Sequence, residues 1–198
     1  MSTASTGRVP GDLAPTPGQT VGPFYGYALP YDGDSTLAPP SLPEAVRLHG
    51  RVLDGAGQPV PDALLELWQA DPSGRIVREP GSLHRDGFTF TGWGRCGTDN
   101  TGRYSFSTLR PGPTAPGRAA YFAVTVFARG LLNRLQTRAY LPGDTPEGEA
   151  ALAADPLLTS LDPARRGTLV AGTDEHGFVF DIRLQGEDET VFLTHPRH

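Results

Sequence analysis

The sequence predicts an all-β fold: a single-domain antiparallel β-sandwich with an N-terminal arm, long loops and one or two short helices. Three observations carry this. Glycine and proline are abundant, 25 and 20 of 198 residues, which disfavours a helix bundle and suits short strands joined by tight turns. Several runs alternate apolar and polar residues with the period of two that a half-buried strand requires. Turn-forming clusters separate those runs at the spacing of a sandwich. A chain of this length can bury one sizeable core, so one domain is expected.

Residues 1–15 are small and polar and read as a disordered lead-in without the apolar stretch of a signal peptide. Residues 16–45 read as an arm and loop. Thr16-Pro17-Gly18-Gln19-Thr20-Val21-Gly22-Pro23-Phe24-Tyr25 mixes rigid Pro and permissive Gly with aromatic residues, so it is expected to be neither helix nor central strand. Its aromatics need burial, on their own domain or on a partner chain. The sandwich is expected over 46–193, with a tail at 194–198. It opens with Val46 to Val52, where Val46, Leu48, Gly50 and Val52 alternate with Arg47, His49 and Arg51. Asp54-Gly55-Ala56-Gly57-Gln58-Pro59 has the chemistry of a reversal, and Ala63 to Gln69 is a second apolar run, so the pair reads as a hairpin. Asp71-Pro72-Ser73-Gly74 turns the chain again, and Ser73 to Gly97 reads as a long loop, a length that points to function or an interface.

Thr98 to Gly102 is a turn into a strand over Arg103–Ser107. Ala119 to Ala128 is the most continuous apolar run and reads as a central strand covered on both faces. Arg134–Leu141, Arg165–Ala171 and Phe178–Gln185 are further strand candidates. Asp144–Asp155 suits a short helix, with Thr145 as N-cap and Pro146 in the first turn.

The formal net charge of −5 offers no basic footprint for nucleic acid, and no apolar run approaches a membrane span. A cytoplasmic protein is expected. The single cysteine, Cys96, excludes an internal disulfide framework and reads as a small buried hydrophobe rather than a nucleophile.

The five histidines, His49, His84, His176, His195 and His198, include no pair at i+2 or i+4, the separations that place two ligands on one face of a strand or helix. His49 reads as a surface residue. No Gly-x-Ser-x-Gly elbow, Walker loop or dinucleotide fingerprint is present. Glu66, inside an apolar run, is costly unless paired; the plainer reading is an ion-paired or edge-facing residue, the sharper one a catalytic carboxylate. Arg129, directly after the central strand, is either solvated or a bidentate carboxylate clamp beside a pocket. On residues alone the chain is a β-sandwich, more a binding module than a self-sufficient enzyme.

Separated blocks then carry a resemblance. Val52-Leu53-Asp54-Gly55, Pro59-Val60, Asp62-Ala63, Glu66 and Trp68-Gln69-Ala70-Asp71 form the first. Gly94-Arg95, Thr98-Asp99, Gly102, Tyr104, Phe106 and Arg110-Pro111-Gly112 continue it. Phe127-Ala128-Arg129-Gly130 and Phe180-Asp181-Ile182-Arg183-Leu184-Gln185-Gly186-Glu187 narrow it, together with the Thr16–Phe24 arm. From Thr16 to Phe192 the chain resembles the intradiol ring-cleaving dioxygenases, in particular the alpha chains of their two-chain members.

In catalytic chains of that family two Tyr and two His hold a mononuclear non-haem Fe(III). The resemblance places those positions at Ile76, Thr114, Tyr121 and Ala123. A hard ferric ion needs anionic oxygen and imidazole nitrogen; Ile and Ala offer neither, Thr is a poor substitute and one Tyr makes no site. The implied chain has no metal site and no catalytic residue acting alone. Its implied partner is a homologous iron-bearing beta subunit, in alpha–beta units of a higher oligomer. The implied reaction uses O2 to cleave protocatechuate between its hydroxylated carbons, giving 3-carboxy-cis,cis-muconate in aromatic-compound degradation. By motif, Thr20, Gly22 and Arg129 would line the pocket around the substrate carboxylate, while Phe24 stands where a Tyr is common. Two rivals are a non-enzymatic β-sandwich binding module, monomeric and perhaps carbohydrate-directed, and a self-sufficient dioxygenase with unusual ligands.

Overall fold

The structure, a computed structural model, describes residues 17–22 and 24–194. The lead-in over 1–15, with Thr16 and Pro23, and the tail from 195 onward lie outside the described residues. In chain order the elements are α1 (Tyr25–Ala28), β1 (Ala45–Leu53), β2 (Leu64–Trp68), β3 (Trp93–Gly97), β4 (Arg103–Leu109), β5 (Tyr121–Phe127), β6 (Leu135–Tyr140), α2 (Pro146–Ala154), α3 (Pro156–Ser160), α4 (Pro163–Arg166), a 3-10 turn (Gly167–Leu169), β7 (Gly172–Asp174), β8 (Gly177–Val179) and β9 (Ile182–Arg183). Two sheets face each other: one ordered β4-β1-β8-β7 with β9 also on β1, the other ordered β3-β2-β5-β6. The β-sandwich expected from the sequence is what forms.

The alternation in the sequence sets the inward faces. Leu48 and Val52 of β1 and Tyr104 and Phe106 of β4 meet Leu65 and Leu67 of β2 and Phe122, Val124 and Val126 of β5 in one apolar layer. Each such fully buried side chain contributes about 1.5–3 kcal/mol relative to exposure. The ladders are antiparallel apart from two short parallel pairings of β1 with β8 and β9. A smaller cluster, Ala119, Tyr140, Leu158 and Leu169, lies where α3 and the 3-10 turn cover one end of the second sheet.

The hairpin expected over Val46–Gln69 does not form. β1 pairs with β4 and β2 with β3 and β5, so the 54–63 connector passes from one sheet to the other. Its turn chemistry is as expected: Asp54 Oδ1 accepts from the backbone N–H groups of Ala56 and Gln58 at 2.9 and 2.8 Å. Beyond that turn the chain returns only as far as a single Leu53–Pro59 bridge. Pro61 then lacks the N–H a ladder would need, and the second run lies face to face with the first rather than edge to edge.

Three further expectations change. Trp93–Gly97, read as the end of a loop, is the edge strand β3. Its glycines admit a neighbour that a side chain would exclude: a Cβ on Gly94 would stand 2.3 Å from Leu37 Cδ1. Arg165–Ala171 is not a strand. Asp162 Oδ1 accepts from Ala164 N at 2.9 Å with Pro163 behind it, so a helical turn starts there. Asp155-Pro156 and Thr145-Pro146 use the same cap-then-Pro device, which gives more short helices than the one or two expected. Phe178–Gln185 is interrupted at Phe180-Asp181, where the Asp181 carboxylate replaces a ladder acceptor by taking Arg51 N at 2.8 Å. The crossing is close enough to require Gly50, whose added Cβ would lie 2.1 Å from Phe180 O.

Candidate functional site

Two places gather the residues that the sequence singles out. The first is the end of the second sheet where Ile76, Thr114, Tyr121 and Ala123 stand. Trp68 and Ala123 are register partners across β2 and β5. Two residues beyond Trp68, Ala70 bridges to Ile76. The turn between them is closed by Asp71, whose Oδ1 accepts from Ser73 N at 2.9 Å and Arg75 N at 3.0 Å. This turn seats on the segment that leads to Thr114: a Cβ on Gly74 would lie 2.0 Å from Pro113 O, and Gly112 N donates to Asp71 O at 2.9 Å. Tyr121 is on the same face of β5 as Ala123, two residues away. Its ring is covered by the Arg138 guanidinium at 4.2 Å and lies 5.5 Å from that of Tyr140. Burial holds the Tyr140 phenol up at about 12, against the lowering effect of Arg138.

The backbone thus draws all four positions toward one end of the sheet, and the side chains there do not suit a ferric ion. Ile76, 58% exposed, and Ala123 carry no donor atom, and the Tyr121 ring lies under a cation.

The second place is the edge formed by the arm, the start of β2 and the loop after β5. Gly18 stands against Leu132, where an added Cβ would meet Cδ2 at 3.3 Å. Seven residues on, the Tyr25 hydroxyl donates to the Asp62 carbonyl. Thr20 and Gly22 lie between these anchors. Gly22 has φ 78°, a conformation that glycine reaches without strain, and its N–H lies 3.3 Å from Thr20 Oγ1. Arg129 is held from the side by an ion pair: its Nε lies 2.9 Å from Asp62 Oδ2, with 57% of the arginine side chain exposed. Burial, with the Asp62 charge, raises the pKa of Tyr25, and Arg129 works against that rise. The structure therefore places Thr20, Gly22 and Arg129 on one edge, and adds Asp62 and Tyr25, which the sequence reading did not single out. In the sequence Asp62 stands only as part of the first motif block, Asp62-Ala63, with no role attached to it.

Of the arm's aromatics, Tyr25 is buried on its own domain. Leu37 and Ala38 are buried on their own domain, with both backbone N–H groups bonded to Ser107 O. Phe24 and Tyr27, 77% and 87% exposed, are left uncovered by the described residues. α1 itself begins at Tyr25, the last residue of the segment expected to be non-helical.

The other candidates resolve into structural roles. Glu66 pairs with Arg95 Nη2 at 2.7 Å across β2 and β3. His49 is less exposed than a surface residue: 13% of its side chain is accessible, and Nε2 lies 3.2 Å from Asp174 Oδ1. Cys96 is half-buried in β3, and burial pushes its thiol up to about 11, which suppresses the thiolate that a nucleophile needs. Among the described residues no helix is long and apolar enough to cross a membrane.

With this geometry in view, the comparisons identify the class. Residues 20–186 match the dioxygenase family, and the chain belongs to the intradiol ring-cleaving dioxygenases, an iron-dependent family. Within it, the chain is 40% identical over 196 residues to the protocatechuate 3,4-dioxygenase alpha chain of Burkholderia cepacia, covering 91% of this chain and 98% of that one. It is 36% identical over 165 residues to the beta chain of the enzyme of that name from the same organism, covering 75% of this chain and 68% of that one. Among solved structures it is similar to the dioxygenase domain of a dioxygenase carbohydrate-binding protein fusion from Streptomyces sp. SirexAA-E. There the TM-score is 0.51 at 26% identity, covering 87% of this chain and 99% of that one.

Proposed function

We propose that this chain is the non-ligating, alpha-type subunit of a two-chain dioxygenase that cleaves protocatechuate between its hydroxylated carbons. Both atoms of O2 enter the product, 3-carboxy-cis,cis-muconate. The observation that carries the reading is the pairing of close likeness to an alpha chain with donor-free side chains at Ile76 and Ala123. The ferric ion then belongs to a homologous beta-type partner, and this chain's share is binding and orientation.

Arg129 supplies the cation for the substrate carboxylate, Thr20 a hydroxyl and Gly22 a backbone that a ligand can approach closely. The exposed Phe24 and Tyr27 provide apolar area of the kind that interfaces bury. Oxygenation stays in the cytoplasm, where the aromatic acid is degraded.

Two measurements test this. The chain is expressed alone and together with a beta-type partner, and iron content, visible absorbance and oxygen uptake are followed. Activity in the pair alone is expected; stoichiometric iron and colour in the isolated chain would point to a self-sufficient enzyme, and a stable monomer that ignores the partner to a binding module. In the assembled enzyme, Arg129→Ala should raise KM for protocatechuate about 10- to 100-fold, the worth of a charge-assisted contact, with iron content unchanged. An unaltered KM would remove Arg129 from the site.

A further inference from the structure

Asp62 is the one non-glycine residue with positive φ among the described residues, at 60°. Aspartate tolerates this left-handed conformation better than most residues, yet it remains unfavourable and persists only where the surroundings enforce it. They do so from both sides. The Tyr25 hydroxyl takes the Asp62 carbonyl, and the next residue, Ala63, gives its N–H to Thr98 Oγ1 at 2.9 Å. The arm closes over the position as well, since a Cβ on Gly26 would lie 3.6 Å from Asp62 Cβ.

The carboxylate is directed at a cost. Oδ1 is buried with no hydrogen-bond partner among the described residues, a penalty that an aspartate free to turn both oxygens to water would avoid. Oδ2 forms an ion pair with Arg129, 2.9 Å from Nε. A guanidinium has two edges able to grip a carboxylate in bidentate fashion, Nε with one Nη and the pair of Nη groups. The Asp62 carboxylate stands on the Nε side of the guanidinium, which restrains the side chain and leaves the Nη pair as the gripping edge. Arg129 follows β5 in an exposed turn, and without a lateral hold its rotamer freedom would have to be surrendered at each binding event.

We propose that Asp62 is a positioning residue for substrate recognition: it presents the Nη edge of Arg129 to the carboxylate of an aromatic acid, and Tyr25 of the arm locks it in place. The inference rests on the reading of Arg129 as the carboxylate-binding residue.

The test uses the assembled enzyme and the variants Asp62→Gly, Asp62→Asn, Arg129→Ala and the Asp62→Gly/Arg129→Ala double. Glycine is at ease at φ 60° and keeps the backbone carbonyl that Tyr25 holds, so the fold survives while the carboxylate is lost. KM for protocatechuate should rise about tenfold in Asp62→Gly, the scale of one charge-assisted contact, and less in Asp62→Asn, whose amide oxygen still accepts. kcat should stay within about twofold, the signature of lost binding rather than lost chemistry. The inhibition constant of catechol, which lacks the carboxylate, should not move. In the double variant the Asp62 substitution should add nothing to Arg129→Ala.

If Arg129→Ala raises KM while Asp62→Gly does not, or if Asp62→Gly weakens catechol equally, the positioning role is overturned and the functional reading stands. If Arg129→Ala leaves KM unchanged, the functional reading of Arg129 fails and the positioning role falls with it.

Discussion

The two ends of the second sheet differ in what each has kept. At the Ile76–Ala123 end the backbone is closely constrained, with Gly74 against Pro113 O, Gly112 bonded to Asp71 and β2 in register with β5, while the side chains offer little to a metal. At the arm edge the backbone is strained at Asp62, while the side chains are paired: Tyr25 to Asp62 and Asp62 to Arg129. Scaffold and chemistry are separable in this fold. One end has scaffold with two of its four ligand positions, Ile76 and Ala123, donor-free. The other has a charged group held by two elements that are distant in sequence.

The sharpest way to break this contrast is to return donors to the first end. The combined variant Ile76→Tyr, Thr114→Tyr, Tyr121→His and Ala123→His should take up about one ferric ion per chain, with visible phenolate-to-iron absorbance, because hard anionic oxygen and imidazole are the donors that ion requires. Iron content by elemental analysis and the visible spectrum read the outcome. A folded variant without iron would mean that this end lost its geometry along with its ligands, and the contrast drawn above would be wrong.

The next largest effect concerns the scaffold alone. Gly74 has φ 86°, and a Cβ there would stand 2.0 Å from Pro113 O. Gly74→Ala should destabilise the chain by about 3 kcal/mol or more, since a backbone clash and a left-handed alanine fall together. The midpoint of denaturant unfolding checks this. Gly22→Ala is the internal control: its φ is similarly positive, but beyond its chain neighbours no atom of the described residues lies within 4 Å of the added Cβ. It should cost only the conformational part, about 1 kcal/mol.

The same two regions mark what the sequence could disclose. Alternation identified β1 and β4, and apolar runs bounded by turns marked β2 and β5, because such runs must be buried whatever their neighbours are. Neither signal could tell which edge pairs with which, so β1 and β2 read as a hairpin although they lie in opposite sheets. Glycine in β3 read as loop because propensity is local, whereas the reason for Gly94 is the approach of Leu37 from elsewhere in the chain. The helical turn at Pro163 was legible in principle, since Asp162-Pro163 repeats the cap already recognised at Thr145-Pro146. The candidate site divides in the same way. The family resemblance pointed to Arg129 and to the ligand positions, whereas the Asp62–Arg129 pair joins residues far apart in the chain and emerges only when the strands are assembled.

The smallest effect tests whether the arm belongs to the charged edge or merely lies on it. Tyr25 is buried, and its hydroxyl reaches a backbone carbonyl. Tyr25→Phe keeps the ring and removes that bond, so the global stability of the chain should fall by only about 1 kcal/mol, the usual net worth of one hydrogen bond. The informative measurement is local. Residues 17–29 touch the rest of the domain through Gly18 on Leu132, Tyr25 and Gly26 on Asp62, and Leu29 O, which accepts from Arg95 Nη1 at 3.1 Å, so loss of the Tyr25 bond should loosen the arm before the sandwich unfolds. Limited proteolysis within the arm should quicken severalfold, while amide exchange in β2 and β5 stays as in the parent chain. If β2 and β5 loosened together with the arm, Tyr25 would be part of the core's cooperative unit. The charged edge would then owe its order to the sandwich itself rather than to a strap laid across it.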